Sequence, residues 1–486
     1  MGRRRGRRAR ILLGALAVVV VLAAIVGYGA WYKLFREVPQ RFDSAAERFK
    51  YGSIGNETAE GIPYWVWRVL PEMFPEHLPG PGGYRSLGFN QEQGRDLPIG
   101  FSRKTIGFPR VGFNCAACHS GSYRTRADEA SRPVLTAPGT RVDFQGYARF
   151  LVAAGTDPRF TPDNVLDAIE RHTDLSWVDR QLYKRVIIPR TRDGLVDYSK
   201  RFTWMNSRPP WGRGRIDPFN PVKFHQLGLD PAKDRTIGNS DMEPLWNMAR
   251  KDGYSLHWDG LNDSLTEVVL TGAIGDGATS VGGKAPSKSL PVDDLKRIED
   301  FIKETQPPRY PFPIDRGLAA RGQRVFRESC AACHEFGAPR TGTVVPQAEV
   351  GTDRHRLDMW TREATDRYND YARDYPFRFK RFVKTNGYVA VPLDGVWLRA
   401  PYLHNGSVPT LEDLLEPVAD RPKLFYRGYD VYDRERTGWI HQGAAARRAG
   451  FRYDIRVPGN SNAGHEYGTE LSPSAKRALV EYLKTR

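Results

Sequence analysis

Two short segments of this chain have the same sequence. Residues 115–119 and residues 330–334 both read Cys-Ala-Ala-Cys-His. Two thiols at this spacing reach the two vinyl groups on one edge of a porphyrin, and the His that follows places an imidazole nitrogen on the iron. The pattern therefore predicts two covalently bound haem c groups. The predicted thioether cysteines and proximal iron ligands are Cys115, Cys118 and His119 for the first haem and Cys330, Cys333 and His334 for the second.

Three other sites use paired cysteines. The chain contains 4 Cys, and all of them belong to the two repeated segments. A four-Cys zinc site would have to bring together two pairs from opposite halves of the chain, and a thioredoxin-like redox pair does not require the His that follows. A pair of disulfides is the third alternative. Haem attachment is favoured over all three because it accounts for both the cysteines and the histidines.

The N-terminus has the pattern of a membrane anchor. Residues 1–10 are rich in Arg, and residues 11–32 form an uncharged apolar run that is long enough to cross a hydrocarbon core of about 30 Å. Trp31, Tyr32 and Lys33 are typical of an interfacial belt, and the Arg cluster predicts that the tail stays in the cytoplasm. A cleaved signal peptide ending near Gly27–Gly29 is the alternative. We favour an uncleaved single-pass anchor in the bacterial inner membrane, with the bulk of the chain in the periplasm, where haem c is attached.

Composition narrows the fold class. With 486 residues and 40% hydrophobic residues, the chain is long enough for two or three domains. The net charge is +16, of which six charges lie in the first ten residues, and no Lys/Arg-rich run follows them, so no nucleic-acid partner is expected. We expect a mainly α protein with two cytochrome c-like haem domains and long irregular loops.

The chain divides into five predicted parts. The tail (1–10) and the anchor (11–32) precede an irregular segment (33–105), which is rich in prolines and aromatic residues. We expect this segment to contain a few short helices or strands and to pack on the haem domains. The first haem domain is predicted at 106–305. It contains an extended approach to Cys115, helices near 161–172 and 175–186, and an amphipathic helix at 291–304. A Pro-rich breaker then leads to the second haem domain, predicted at 306–486.

The second haem domain has a paired-helix pattern. Gly322 and Phe326 lie one helical turn apart just before the second Cys-x-x-Cys-His, and Ser472-Pro473 begins an apolar-faced helix that runs to the C-terminus. A Gly on the first helix would let the second helix cross closely. No such helix is predicted before Cys115.

Further segments resemble a known family. The Trp258-Asp259-Gly260 turn between the two haem motifs and the RAPYLHNGSVPTL run at 399–411 resemble the bacterial di-haem cytochrome c peroxidase superfamily. The segments LHWDGLNDS, FYRGYDVYD and GNSNAGHEYGT are similar to the branch that contains the di-haem rubber oxygenases. The resemblance covers roughly residues 100–486.

The resemblance implies a division of labour. The haem at Cys115 would react with peroxide or O₂, and the haem at Cys330 would be six-coordinate and transfer electrons. Trp258 would lie between them as an electron relay. The resemblance alone also allows a Ca²⁺ ion between the domains, although no ligand cluster in the sequence indicates one.

The sequence departs from the peroxidase pattern at two places. No Met follows the Ala-Pro-Tyr segment, so the distal ligand of the second haem is expected to be a His. We favour His465, with His404 as the alternative and His441 as a further candidate. The sequence also shows no clear distal acid. Residues 271–278 are small and are expected to be flexible, and Asp276 is the candidate there. His77 is expected to be a surface residue, and His172, His225, His257 and His355 are expected to be structural or to support the iron ligands.

The sequence therefore predicts a redox enzyme of peroxidase or oxygenase type, with a small redox protein as electron donor or acceptor. Two alternatives remain. One is a pure electron-transfer cytochrome in which both irons are six-coordinate, and the other is an enzyme that oxidises side chains of a partner protein through Trp258.

Overall fold

The computed structural model describes residues 2–279, 290–373, 375 and 379–486, with side chains from Arg10 onward. The protein is rich in helices, as predicted. The α-helices are α1 Gly2–Leu34, α2 Ala45–Tyr51, α3 Tyr64–Met73, α4 Phe144–Thr156, α5 Pro162–Glu170, α6 Trp177–Leu182, α7 Ile188–Arg201, α8 Leu265–Gly275, α9 Val292–Glu304, α10 Arg316–Ser329, α11 Ala331–His334, α12 Gln347–Val350, α13 His355–Met359, α14 Arg362–Tyr371, α15 Leu411–Leu414, α16 Gly443–Ala449 and α17 Pro473–Leu483.

The strands are short and pair in small antiparallel sheets. They are β1 Glu37–Val38, β2 Ile62–Pro63, β3 Phe101–Ile106, β4 Phe108–Phe113, β5 Ser120–Tyr123, β6 Arg132–Leu135, β7 Arg215–Ile216, β8 Ser240–Asp241, β9 Val344–Pro346, β10 Gly387–Val389, β11 Leu424–Arg427, β12 Tyr432–Asp433, β13 Gly438–Trp439 and β14 Phe451–Asp454. The largest sheet has the order β1-β3-β4-β2. Two π-helical turns, Tyr183–Ile187 and Val222–Gln226, interrupt the loops and helices of the first half.

The N-terminal helix is long and apolar enough to cross a membrane between Arg10 and Leu34, a property that a signal sequence shares. It is followed almost at once by β1, which pairs with β3. The segment after it contains a few short helices and strands, as predicted. Residues 64–73 form α3 in spite of Pro71, because Val66, Trp67, Val69 and Leu70 bury one helical face.

Two hydrophobic clusters form the interior. The first extends from Phe49 to Phe382 and contains most of the buried aromatic residues before residue 305. The second contains Phe326, Trp397, Tyr432 and the buried face of α17. Seven residues that follow the second haem motif in the chain also pack in the first cluster: Met359, Trp360, Ala364, Tyr368, Ala372, Phe379 and Phe382. The predicted domain limits, including the boundary near residue 305, stay predictions.

Helices α10 and α17 cross closely, as the Gly322 pattern predicts. A Cβ atom at Gly322 would lie 1.8 Å from the carbonyl oxygen of Ala478, so no larger residue fits without separating the helices. One turn further, the rings of Phe326 and Tyr482 pack with their centroids 5.2 Å apart. This crossing fixes the direction in which α10 enters the second haem motif.

Residues 271–275, the first part of the stretch that was expected to be flexible, belong to a helix. Helix α8 begins after Ser264, whose hydroxyl accepts a hydrogen bond from the backbone N–H of Glu267, and it continues to Gly275. Val269, Leu270, Ala273 and Ile274 are buried on this helix, and their burial outweighs the low helix propensity of its glycines. Asp276 is therefore held at the end of a packed helix.

Candidate haem sites

The first Cys-x-x-Cys-His segment is held by a hairpin. Strands β3 and β4 lead into a 3₁₀ turn at Cys115–Ala117, and the side chain of Asn114 accepts a hydrogen bond from the N–H of Ala116. The Asn114 amide also donates to the carbonyls of Lys50 and Gly52. Gly100, with φ of 96°, packs so closely that a Cβ there would lie 2.3 Å from Cα of Ala117. The extended approach predicted for this motif is confirmed.

His119 is oriented by a backbone acceptor. Its Nδ1–H donates to the carbonyl oxygen of Glu243 at 2.7 Å. A hydrogen bond of this kind fixes the tautomer and leaves Nε2 unprotonated, which is the state that binds a metal. Burial lowers the pKa of His119 to about 4, so the ring is neutral near pH 7.

All four cysteines are described, and none of them forms a disulfide. Burial raises the pKa of Cys115 to about 12 and raises the pKa of Cys118 well above its ordinary value, in both cases with a contribution from the charge of Asp276. Burial likewise raises the pKa of Cys330 to about 11. These environments disfavour a thiolate, which a zinc ligand or a redox nucleophile requires. They are compatible with an uncharged thioether.

A cavity of about 730 Å³ adjoins the first motif. Ala117 and Cys118 form part of its wall, and the apolar side chains of Phe113, Phe144, Leu151 and Phe224 line it. Its size falls within the range of roughly 300–1,000 Å³ that is usual for cofactor and small-molecule sites.

Three side chains in this cavity could do chemistry. Asp276 lies in the wall, and burial raises the pKa of its carboxyl to about 7. His225 lies on the π-helical turn Val222–Gln226, its Nε2 has no hydrogen-bond partner among the described residues, and burial lowers its pKa to about 4. The thioether of Met205 is the third. The cavity thus contains a carboxyl that is easily protonated and a neutral imidazole.

The second Cys-x-x-Cys-His segment begins where α10 ends. Cys330 is the C-cap of α10, and α11 then carries Cys333 and His334. Nδ1–H of His334 donates to the carbonyl oxygen of Val391 at 2.7 Å, and burial lowers the pKa of its ring. His334 is therefore oriented in the same way as His119, by a hydrogen bond from Nδ1–H to a backbone carbonyl.

His465 faces His334. The two ring centroids are 6.1 Å apart. Two imidazoles that share one metal ion, each with a nitrogen–metal bond of about 2 Å, have their centroids at roughly this separation. Burial, with a smaller contribution from His334, lowers the pKa of His465 to about 3, so its ring is also neutral.

The backbone holds His465 in place. Its N–H donates to the carbonyl of Val350 at 2.7 Å, and its own carbonyl accepts from the guanidinium of Arg421 at 3.2 Å. The residue has a φ of 49°, in the left-handed region that costs a non-glycine residue of order 1 kcal/mol. Nδ1 of His465 has no partner among the described residues, unlike Nδ1 of His119 and of His334.

The other two candidate ligands have different neighbours. The ring of His404 stacks on Tyr388 with the centroids 4.1 Å apart, and its Nε2 lies 3.0 Å from the Tyr388 hydroxyl. Nδ1 of His441 donates to the carbonyl of Trp439 at 3.0 Å, and its ring packs against Phe425. The geometry therefore favours His465 over both as the residue opposite His334.

Trp258 joins the supports of the two proximal histidines. Its indole Nε1–H donates to the carbonyl of Asp241 at 2.8 Å, and its own carbonyl accepts from the N–H of Val389 at 2.8 Å. Asp241 lies two residues before Glu243, the acceptor for His119, and Val389 lies two residues before Val391, the acceptor for His334. One half-buried residue is thus bonded to both supporting segments.

The rest of the Trp-Asp-Gly turn keeps Trp258 in position. The carboxylate of Asp259 forms a buried ion pair with Arg356 at 3.0 Å, and Arg356 also donates to the hydroxyl of Ser240 at 2.6 Å. Gly260 has a φ of 67°, and a Cβ there would lie 2.5 Å from a methyl group of Val344. His257, with Nε2 unpartnered among the described residues, precedes this turn.

A separate surface group has the spacing of metal ligands. Glu76, His77 and Asp157 place their ligand atoms within 4.8 Å of one another. Arg159 pairs with the carboxylates of Glu76 and Asp157, and Nε2 of His77 lies 3.3 Å from Asp157. Because the guanidinium of Arg159 already neutralises both carboxylates, the group is an ion-pair network and not a metal site. The Ca²⁺ ion that the resemblance implies stays a prediction.

The residues present fit haem at both motifs. Each pair of cysteines is free, each proximal histidine is neutral and has its second nitrogen occupied by a carbonyl, and the second histidine has an imidazole opposite it. The sequence could not indicate Glu243 and Val391, because they act through backbone carbonyls. The sequence suggested a structural or supporting role for His225, and the π-helical turn on which it lies is a feature that often marks a functional site.

Comparisons with known proteins agree with a cytochrome. A family model described as RoxA-like, cytochrome c-like, matches residues 387–426. The uncharacterized protein y4iJ of Sinorhizobium fredii (strain NBRC 101917 / NGR234) is 26% identical over 515 residues, which cover 82% of this chain and 83% of that protein. The uncharacterized protein y4iM of the same strain is 28% identical over 291 residues, which cover 51% of this chain and 64% of that protein.

The matched residues coincide with the support of the second haem motif. They include β10, the Val391 carbonyl that binds His334, and His404. A RoxA-like cytochrome c-like domain is thus present at residues 387–426, and it implies haem c as the cofactor. The match supports the relation to rubber-oxygenase-like cytochromes, and the chain has the features of a c-type cytochrome with an N-terminal apolar helix.

Proposed function

We propose that this chain is a membrane-anchored di-haem oxidoreductase of the periplasm, which uses peroxide or O₂ at the first haem and transfers electrons through the second. The observation that carries the proposal is the difference between the two distal sides. His465 lies opposite His334, whereas a cavity with Asp276 in its wall adjoins Cys118. A reactive site needs an open distal side, and an electron-transfer site does not.

When bound, each haem supplies an iron that exchanges single electrons, with a reactivity set by its axial ligands. At the second site, His334 and His465 would both bind the iron, and a small substrate would then be excluded. Their neutral rings, kept so by burial, are suitable ligands. Two imidazoles favour a lower potential than a His/Met pair does.

At the first site, Asp276 acts as the proton donor. Cleavage of an O–O bond needs a proton within hydrogen-bond reach of the leaving oxygen, and a donor with a pKa near the working pH delivers it best. Burial raises the pKa of Asp276 to about 7, so a large fraction is protonated at neutral pH. When the substrate is H₂O₂, the neutral ring of His225 in the same cavity can accept a hydrogen bond from its O–H.

Trp258 carries electrons between the two sites. Its hydrogen bonds to Asp241 and Val389 hold the indole between the segments that support His119 and His334. The position of Trp258 also supports the alternative in which Trp258 oxidises side chains of a partner protein. A small redox protein supplies or removes the electrons at the second haem.

A second candidate function is pure electron transfer. Met205 lies in the wall of the first cavity, and a thioether that reaches the iron would close that site. In this case both haems would be six-coordinate, and peroxide or O₂ would not react.

The test is the pH dependence of reaction at the first haem. The reduced protein is mixed with H₂O₂ or with O₂, and the change in haem absorbance is followed between pH 5 and pH 9. With Asp276 as the acid, the rate falls as the pH rises through about 7, because the proton donor is lost. Asp276→Asn should be on the order of 10²-fold slower and independent of pH in this range.

Two results would contradict the proposal. No reaction with either oxidant supports the electron-transfer alternative, and Met205→Ala should then open the first haem to O₂. A reaction whose pH profile is unchanged in Asp276→Asn removes Asp276 as the donor. A control for folding comes from stability: the raised pKa means that ionisation of Asp276 destabilises the fold, so wild type loses free energy of unfolding relative to Asp276→Asn as the pH rises from 3.8 to about 7.

A further inference from the structure

Apolar side chains are exposed around the outer end of α1. After Leu34, the described part of the chain has eight large hydrophobic residues with exposed side chains, and five of them lie near this helix end, at positions 35, 38, 177, 178 and 186. Trp177 is 76% exposed, Phe35 66% and Val178 53%. Exposed apolar groups that cluster in one place mark an interaction surface. We call Phe35, Trp177, Val178 and Val186 the Trp177 face.

The Trp177 face is fixed relative to α1. Lys33, near the end of α1, forms an ion pair with Asp179 of α6 at 2.7 Å, and Asp179 lies two residues after Trp177. The turn of the β3–β4 hairpin packs on the same end, since a Cβ at Gly107 would lie 2.3 Å from the carbonyl carbon of Leu34. The N–H of Gly107 also donates to the carbonyl of Arg36 at 2.7 Å. The height of the Trp177 face above the end of α1 is therefore set by direct contacts.

Along the axis of α1, the Trp177 face lies next to the aromatic residues at the end of this helix. Trp31 and Tyr32 are 50% and 41% exposed, and both precede Lys33. Trp and Tyr concentrate where a membrane helix leaves the hydrocarbon core. Arg185 and Arg190 are exposed on the segment that carries Val186, where their guanidinium groups can reach lipid phosphates.

The cavity of the first haem motif extends to the same place. Its lining runs from Ala117 and Cys118 to Leu34 at the end of α1 and to Val186 of the Trp177 face. Ile62 and Phe108 also line it. The same lining includes the charged side chains of Glu60 and Arg201, which form an ion pair, and those of Arg110 and Arg190.

We propose that the Trp177 face rests in the interfacial layer of the lipid bilayer, so that the first-haem cavity opens toward lipid. The inference rests on the proposed membrane anchor, and it adds a second membrane contact to it. Its consequence concerns access: an apolar molecule dissolved in the bilayer enters between Leu34 and Val186 without crossing water. Trp177, with an apolar ring and one N–H donor, suits this layer.

The experiment measures the depth of single positions in the full-length holoprotein. The protein is reconstituted in vesicles of phosphatidylethanolamine and phosphatidylglycerol, with one cysteine added at a time and labelled with a nitroxide. The test positions are Val178→Cys and Val186→Cys. Leu22→Cys in α1 reports on the anchor, and Val383→Cys, 48% exposed outside the Trp177 face, is the matched control. All four substitutions replace exposed side chains, so folding should be retained and is checked by haem absorbance.

The readout is the accessibility of each label to O₂, which concentrates in lipid, and to a water-soluble nickel chelate. Labels at 22, 178 and 186 should be relaxed by O₂, and the label at 383 by nickel. If the label at position 22 lies in lipid but the labels at 178 and 186 are relaxed by nickel, as the label at 383 is, the inference is overturned and the anchor stands. If the labels at 178 and 186 are shielded from both reagents, another protein surface covers the Trp177 face, and the inference is again overturned. If the label at position 22 is relaxed by nickel, the anchor fails, and the inference fails with it.

Discussion

The two Cys-Ala-Ala-Cys-His segments have identical sequences and the same support on the proximal side. In each, the His donates Nδ1–H to a backbone carbonyl at 2.7 Å. Their surroundings differ. The first motif follows a hairpin and adjoins a cavity of about 730 Å³, whereas the second follows helix α10 and has the ring of His465 opposite its histidine.

If both motifs bind haem as we propose, this difference teaches that the motif determines attachment and that the residues opposite it determine use. Five identical residues would then bind the cofactor in the same way at both places. What could reach each iron would depend on residues far away in sequence, such as Asp276 at the first site and His465 at the second. A glycine allows close packing at each site, but Gly100 packs against the first motif itself, whereas Gly322 packs against helix α17.

The largest expected effect comes from removing each pair of thioethers. Cys115→Ser/Cys118→Ser and Cys330→Ser/Cys333→Ser should each reduce covalent haem from two groups per chain to one, because each pair holds its own porphyrin. The measurement is the haem-to-protein ratio after denaturation, with the variant lacking all four cysteines as the zero control. If either double variant kept two covalent haems, the assignment of that pair would be wrong.

His465→Ala tests the closed side of the comparison. Loss of the second imidazole should remove the low-spin bis-histidine signal of one haem from the EPR spectrum and leave the other haem unchanged. His404→Gln is the matched control, because His404 stacks on Tyr388 and a glutamine keeps a polar group beside that hydroxyl. Loss of the signal in His404→Gln and its retention in His465→Ala would reverse the assignment.

Trp258→Phe tests the connection between the two sites. The substitution keeps an aromatic ring but removes the hydrogen bond to Asp241, and we expect electron transfer between the haems to slow about tenfold. Stopped-flow reduction, followed at one haem and then at the other, measures this rate. Trp177→Phe, at an exposed position, should leave it unchanged. Equal rates in both variants would exclude Trp258 as the relay.

The smallest expected effect is on stability at the second site. A Cβ at Gly322 would lie 1.8 Å from the carbonyl of Ala478, so Gly322→Ala should lower the free energy of unfolding by about 1–3 kcal/mol as α10 and α17 separate. Gly317→Ala, near the start of the same helix and with no contact closer than 3.4 Å, should be neutral or stabilise by up to about 1 kcal/mol. Denaturant unfolding compares the two, and equal effects would show that the crossing tolerates a methyl group.

Local patterns predicted much of this structure. The extended residues before Cys115, the Gly322 pattern and the apolar run at the N-terminus are each contained in short segments, and the corresponding strand, helix crossing and long apolar helix are present. The two haem groups that the Cys-x-x-Cys-His spacing predicts stay a prediction. Helix α8 was not predicted, because its glycines suggest flexibility and only tertiary burial of Val269, Leu270 and Ile274 stabilises it.

The distal sides could be predicted only in part. The sequence offered three histidines as the partner of His334, and only the fold decides that the ring of His465 lies 6.1 Å from it while His404 stacks on Tyr388. The cavity that brings Asp276, His225 and Leu34 together joins residues from distant parts of the chain. The carbonyls of Glu243 and Val391 carry no side-chain signal at all.

The most direct test of the central claim is the EPR spectrum of the oxidised, full-length protein. If the two sites differ as described, one haem gives a high-spin signal from the open first site, and the other gives a low-spin bis-histidine signal, in a ratio of one to one. Two low-spin signals would show that both irons are closed, which would contradict the account and leave an electron-transfer cytochrome.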